Sequence, residues 1–348
     1  MVAIPANTPG SMNTPGRFHP FFFFLAAAAV VTIRASAAPV ETPGEVTLTR
    51  LPDRVRIEIG GRLFSEYIFT GAKRPYLYPV LSADGTEMTR DFPMKEPAGE
   101  DHDHPHHRSL WFAHSIVKGI DFWNEGKAGG SGPKGTIVHD SLAETTSGAV
   151  GIIRAGDRWL GPDGALVCTD DTTIRVRGTP DGRILDYEVT VHALAGEPLV
   201  FGDGKDGTMA LRLAQWMTMP HKYQNRDLPG AGHFVTSTGQ LDGAAWGKRA
   251  DWCDAFAPRG GKTYGVAIFD NPGNLRHPTW WMARDYGLFG ANPFGQHDYE
   301  NLKDNPHAGD YTIPAGGALT LRYRFLFHEG DPQAARIAER YLDYAAGR

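Results

Sequence analysis

The sequence predicts an all-β protein, a large antiparallel β-sandwich closed by one helix at its C-terminus, and three observations carry that reading. Segments alternating apolar with polar residues recur along the chain after about residue 45, the period-2 signal of half-buried strands. Turn-forming residues bound these segments, and the 42 glycines and 25 prolines are dispersed as punctuation rather than concentrated. Only the last stretch changes period, with apolar residues recurring at three and four.

The amino terminus reads as an export signal spanning residues 1–37. Arg17 precedes an apolar run from Phe21 to Ile33, and Ala35-Ser36-Ala37 supplies the small residues a signal peptidase requires. The run is short for a bilayer span of roughly 20 residues, and no second run follows, so no stable membrane span is expected after cleavage. The predicted location is periplasmic or extracellular. Residues 38–348 read as one β-sandwich domain. Its strand signals include Val46–Thr49, Arg54–Ile59, Ile184–Val191 and Leu319–Phe325, separated by turns such as Gly60-Gly61, Pro180-Asp181-Gly182 and Pro314-Ala315-Gly316-Gly317. Asp331 to Ala346 reads as the helix, with Ala335, Ile337, Ala338, Tyr341 and Leu342 on its apolar face. No repeat of 20 to 50 residues is visible, against a propeller or solenoid.

A net charge of -5 with both signs interspersed leaves no basic footprint for nucleic acid. Cys168 and Cys253, 85 residues apart and without a CxxC companion, argue against a cysteine-built zinc site and leave one disulfide or two buried thiols as readings. The segment Gly202–Gly207 reads as a flexible loop, lacking the spacing of a phosphate cradle, and no GxSxG elbow supports serine hydrolase chemistry.

Chemistry concentrates in the run DHDHPHHRSLWFAH, Asp101 to His114, which holds five of the fourteen histidines. Imidazoles and carboxylates this closely spaced cost solvation unless they bind a metal, move protons or hold a polar ligand. In an extended chain His102, His104 and His106 would share one face, and Asp101, Asp103 and His107 the other, with Pro105 breaking the pairing. Three readings stand side by side. A divalent metal would be held by His104, His106 and His139, with Asp103 as an oxygen ligand. A proton-transfer site would use His106 or His107 as general acid and Asp103 or Glu188 as base. In the third, the histidines only bond loop backbone and orient the aspartates.

Three further stretches spend aromatic and polar residues where a plain strand would not: Val117–Glu125, Ala245–Trp252 and Pro278–Gly295. With the run they hold six of the eight tryptophans. Rings covering the C–H face of a pyranose while polar groups take its hydroxyls are the usual lining of a sugar site. The candidate binding residues are Arg108, Trp123, Trp246, Lys248, Trp281, Arg284, Tyr286 and Asn292. For Arg284 an ion pair with the adjacent Asp285 is the competing reading, and for any tryptophan burial in the core is.

The stretch Tyr76-Leu77-Tyr78-Pro79-Val80, the motif Asp103-His104-Pro105-His106-His107-Arg108-Ser109-Leu110-Trp111-Phe112-Ala113-His114, Asp121-Phe122-Trp123, Tyr286–Phe289 and Asn292–Gly295 together resemble the bacterial PmoA-like family, DUF6807. The resemblance covers most of the chain after about residue 45. It implies a galactose-mutarotase-like supersandwich, a fold shared by sugar epimerases and by domains of polysaccharide lyases and glycosidases, and it implies company with sugar oxidoreductases. The family label, methane oxygenase, implies a copper oxygenase, yet a membrane monooxygenase subunit needs several spans. Relatives commonly carry Trp-His before the arginine where this chain has Trp281-Met282, so that histidine's role does not transfer. The expected function is an exported carbohydrate-active enzyme, of glycoside hydrolase or lyase type, working on a glycoside or oligosaccharide by hydrolysis, elimination or epimerisation. A non-catalytic carbohydrate-binding protein is the alternative, and a copper-dependent oxygenase the weaker one.

Overall fold

The computed structural model describes residues 44–126 and 132–348; the expected signal segment lies outside them. Two eight-stranded antiparallel sheets face each other. The first runs β1 (Val46–Arg50), β2 (Arg54–Ile59), β3 (Arg62–Ile68), β4 (Tyr76–Val80), β5 (Leu110–His114), β11 (Gly207–Arg212), β18 (Leu288–Asn292), β17 (Trp280–Ala283). The second runs β14 (His233–Thr236), β15 (Trp252–Arg259), β16 (Lys262–Asp270), β20 (Ala318–Glu329), β9 (Gly182–Ala193), β8 (Leu166–Thr179), β7 (Gly151–Leu160), β6 (Thr136–Thr146). Two short pairs, β10 (Leu199–Phe201) with β19 (Tyr311–Ile313) and β12 (His221–Tyr223) with β13 (Arg226–Leu228), complete the strands. The predicted antiparallel sandwich is what the chain forms.

The alternation that marked the strands also fills the core. In β2 the residues Val55, Ile57 and Ile59 are buried while Arg54, Arg56 and Glu58 turn outward, and the same alternation runs through β7 and β9. Phe112 on β5 meets Trp159 on β7 at 6.1 Å between ring centroids, so this face of β5 looks into the sandwich. Side chains one residue on point to the opposite face. Trp111 is therefore on the outer face, as are Ala210, Arg212 and Leu288, which stand in register beside it. This outer face carries Arg212 and Leu288 of the candidate site. Cys168 and Cys253 are both buried and free, the second of the two cysteine readings.

The C-terminal helix is shorter than its periodicity implies. A four-residue helix, α1 (Gln296–Tyr299), precedes it, and the terminal helix itself is α2, Ile337–Ala345. Asp331 Oδ1 accepts the N–H groups of Gln333 and Ala334, which makes a turn of the predicted first helical residues. Arg336 then takes a left-handed backbone, φ 54°, a conformation that separates turn from helix. Ile337, Tyr341 and Tyr344 pack on Phe269 and Leu326, while Leu342, expected inward, is 64% exposed. Among the described residues no helix is long and apolar enough to cross a membrane.

Candidate functional site

Residues 101–109 do not run extended, and the alternation expected for them fails. His104 adopts φ 41° and the chain turns at Pro105-His106, with the His107 N–H donating to the His104 carbonyl at 2.9 Å. A non-glycine residue in the left-handed region persists only where surroundings hold it. Arg90 does so. Its fully buried guanidinium donates to the carbonyls of Phe92, Asp101, Asp103 and His104 and to the Asp103 carboxylate. The turn brings Asp103, His104, His106 and His107 together, across what would have been opposite faces of a strand.

Asp103 is the hinge of this group. Arg212, projecting from the outer face of β11, reaches its two oxygens at 2.8 and 3.3 Å. The ionised carboxylate accepts the His104 Nδ1–H at 2.5 Å. Burial pushes the Asp103 carboxyl up, but the His104 hydrogen bond and the Arg212 and Arg90 charges outweigh it and hold the group well below the usual carboxylate range. Arg212 Nη1 also donates to His107 Nδ1 at 3.2 Å, so the His107 proton sits on Nε2. Beneath, His221 lies against Asp101 Oδ2 at 2.6 Å and the Met219 carbonyl at 2.9 Å.

The three clustered histidines are not equivalent. His106 and His107 are almost fully buried, and burial first, then the arginines and neighbouring histidines, lower them: His106 to about 3, His107 well below its ordinary value. Both stay neutral near pH 7. This departs from the expectation that either serves as the general acid. His104 remains 42% exposed, stacked on His107 at 4.7 Å and on Tyr286 at 5.2 Å. With Nδ1 committed to Asp103, Nε2 is the atom left to exchange a proton.

A cavity of about 430 Å³ opens beside His104, lined by His104, His106, His107, Trp123, Asn124, Lys205, Asp206, Arg284, Tyr286 and Leu288. Arg284 and Tyr286 arrive on the turn joining β17 to β18, closed by hydrogen bonds between Arg284 and Leu288 and between Gly287 and Arg284. Gly287 has φ 89°, and a Cβ there would meet Thr218 at 2.9 Å. Lys205 and Asp206 arrive just before β11. There Gly207 stands against His114, whose ring a Cβ would strike at 2.2 Å. Burial raises the Asp206 carboxyl above its ordinary value, partly offset by Lys205. The sequence reading passed over Asp206 as part of a flexible loop. Nothing local marks it, because its place beside the histidines depends on the pairing of Gly207 with His114 between β11 and β5.

Other predicted site residues go elsewhere. Glu188 lies on β9 and binds Arg322 at 2.6 Å, away from the cavity, because its position on the strand faces Arg322 of β20. Asn292 is consumed internally, donating to the Gly204 carbonyl and Tyr299 hydroxyl and accepting from Phe294 N–H. Trp281 is core, its Nε1–H on the Ala250 carbonyl. Trp246 lies under Arg284, whose guanidinium carbon is 3.4 Å from the ring centroid. Arg108 pairs with Glu125 at 3.2 Å, and exposed Lys248 does not line the cavity. Trp123 does line it, as floor beneath His107.

The metal reading is not supported by the donor set. His139, on β6, bonds Asp157 at 3.1 Å and packs on Phe69, in a cluster separate from His104 and His106. Among the described residues no three histidine, cysteine, aspartate or glutamate side chains converge as a metal site. Arg90 and Arg212 touch the one carboxylate of the run nearest the histidines, and two guanidiniums oppose a dication there. The copper-oxygenase expectation therefore has no ligand set among these residues.

No curated protein matches the chain. Solved structures similar to it include the alpha-galactosidase from Lactobacillus brevis, 10% identical over 82% of this chain and 39% of that one, at a TM-score of 0.35. The GH36 alpha-galactosidase AgaA from Geobacillus stearothermophilus is 10% identical over 82% and 40%, at 0.36. A galactose mutarotase related enzyme from Lactobacillus acidophilus is 9% identical over 81% and 97%, at 0.29. The chain thus spans well under half the length of either galactosidase. Likenesses this loose assign no activity. The family profile is the firmer finding: it matches residues 54–342, and the chain belongs to DUF6807, a family of unknown function.

Proposed function

We propose that the cavity is the active site of a sugar-transforming enzyme in which His104 transfers the proton. One observation carries the reading: a half-exposed imidazole, oriented through Nδ1 by a carboxylate that two guanidiniums keep ionised, stands at the mouth of a cavity whose wall includes a second carboxyl, Asp206, which burial raises above its ordinary value. His104 Nε2 takes a proton from the substrate, and Asp103 stabilises the imidazolium that results. Asp206 is the partner that returns or receives the proton across the cavity. Ring opening, glycoside cleavage and β-elimination all need such a pair. The polar groups of Asn124, Lys205, Asp206 and Arg284, set beside the partly exposed Tyr286, support a sugar as the ligand.

Arg17, the apolar run and Ala35-Ser36-Ala37 support export as part of the same proposal. It is checked by sequencing the amino terminus of the protein recovered from the periplasm or medium.

The test of function is to incubate the protein with oligosaccharides and glycosides and follow cleavage, elimination and epimerisation by NMR, comparing wild type with His104→Gln. Turnover lost in the variant supports the proposal. Sugar bound without turnover points to the carbohydrate-binding alternative, and neither binding nor turnover on any sugar overturns the reading.

A further inference from the structure

Resting on that reading, we infer that the sugar carries a carboxylate and that the Arg284 guanidinium receives it. The arginines around the site divide sharply. Arg90 and Arg212 hold Asp103, Arg74 donates to the carbonyls of Phe122 and His106, and Arg108 pairs with Glu125. Arg284 alone among these has neither a salt bridge nor a side-chain hydrogen bond among the described residues, and its Nε is buried without an acceptor. The adjacent Asp285, a natural partner by sequence, instead accepts the Tyr286 N–H at 2.9 Å. What holds Arg284 is the Trp246 face against its guanidinium at 3.4 Å, a contact that fixes the plane of the fork and leaves its edge unused.

Arg74 and Arg212 also have a buried Nε without an acceptor, but their other donors are bonded; at Arg284 the unpaired Nε–H is not offset by any other bond, and a buried unpaired donor costs stability unless a ligand supplies the acceptor. Its planar fork matches a carboxylate through two parallel hydrogen bonds, a match that a sugar hydroxyl does not offer. Lys205, on the same cavity and likewise without a salt bridge among the described residues, adds a second positive charge against the single Asp206 carboxyl. His106 and His107 are neutral and add none. The cavity's own charges therefore favour an anion. The neutral polar group of Asn124 beside the partly exposed Tyr286 leaves room for a sugar body behind it.

The experiment is calorimetric titration of the full chain with methyl uronosides and their neutral methyl hexoside counterparts, at low and moderate salt, for wild type, Arg284→Gln, Arg284→Lys and Lys205→Gln. The expected result is uronoside binding at least about tenfold tighter than that of the matched hexoside, weakening with salt. Arg284→Gln erases the preference, and Arg284→Lys restores it only in part because an ammonium cannot fork. Lys205→Gln, an exposed loop change that the fold does not depend on, reduces the preference and keeps the test decisive should the Arg284 variants fold poorly. Equal affinity for the two sugar classes, or a preference that survives Arg284→Gln, overturns this inference while leaving the sugar-enzyme reading intact. Binding of no sugar of either class overturns both.

Discussion

The run around Asp103 and the buried cluster on β7 and β8 are built from the same residue types and behave in opposite ways. At the site, Asp103 lies among Arg90, Arg212 and His104 and is held ionised. Inside the sandwich, Asp157 and Asp170 stand directly opposite each other in the β7–β8 register, both about 95% buried. Their side-chain partners are His139, the Trp159 Nε1–H and the Thr172 hydroxyl, and among the described residues no guanidinium is bonded to either. Burial, with the facing carboxyl, raises Asp170 well above its ordinary value, and burial raises Asp157 despite the His139 bond. Aspartate and histidine in a sequence thus announce polar chemistry without saying which kind. The neighbours brought by the fold decide it.

On the proposed function, the largest effect that separates the two regions is on turnover. His104→Gln removes the exchangeable Nε2 of the imidazole that Asp103 orients and is expected to lower kcat by about 10² to 10⁴, with unchanged unfolding behaviour. The matching change in the other cluster, Asp170→Asn, is expected to leave kcat where it was. A drop of equal size in both variants, read by the NMR turnover assay, would show the second cluster to be coupled to the first.

The next effect is on stability. Asp103→Ala strips the carboxylate from two buried guanidiniums and is expected to cost about 3 to 5 kcal/mol in urea unfolding at pH 7, the penalty of breaking a buried pair from one side. Asp170→Asn removes a charge that the site already resists and is expected to cost no more than about 1 kcal/mol, from the one hydrogen bond it misaligns. Finding the two losses equal would erase the distinction.

The pH dependence then sharpens it, because the two shifts have opposite sign. Asp103 has a folded value below the ordinary 3.8, so its contribution is present above that pH and lost as pH falls below it. Asp170 has a folded value above 3.8, so the folded state binds the proton more tightly. Its contribution is full below 3.8 and declines as pH rises above it. Asp170→Asn is therefore expected to gain on wild type as pH increases from about 4, while the deficit of Asp103→Ala shrinks as pH drops below about 4. Urea midpoints measured from pH 3 to 8 decide both slopes.

The sandwich was legible in the sequence because strand alternation is a local signal: β2, β9 and β20 follow from it directly. The terminal helix was legible in kind but not in extent, since the Asp331 turn and the left-handed Arg336 are set by short-range bonds that periodicity does not record. The run stands out in the sequence for its density of histidine and aspartate, and the structure does bring Asp103, His104, Trp123, Arg284 and Tyr286 together around one cavity. Its internal roles were not legible. An extended reading places Asp103 opposite His104, whereas the positive φ of His104 puts their side chains in contact. Arg90, Arg212 and Asp206 reach the run only through pairings with distant strands, and Glu188 and Asn292 carry suitable chemistry but are already spent on Arg322 and on backbone.

His139 gives the smallest and most discriminating effect. The sequence offers it as a third nitrogen donor beside His104 and His106, but its ring lies on Phe69 and its Nδ1 on Asp157. His139→Gln keeps a hydrogen-bonding group near Asp157 and leaves every contact of His104 in place. Its expected signature is an unchanged kcat and KM and a stability change within about 1 kcal/mol. Metal content measured by elemental mass spectrometry should be identical in His139→Gln and wild type purified without chelator. Stoichiometric metal lost in this variant would mean that the β6 cluster and the run share a ligand set after all, and the environment-based separation of the two regions would fail at its root.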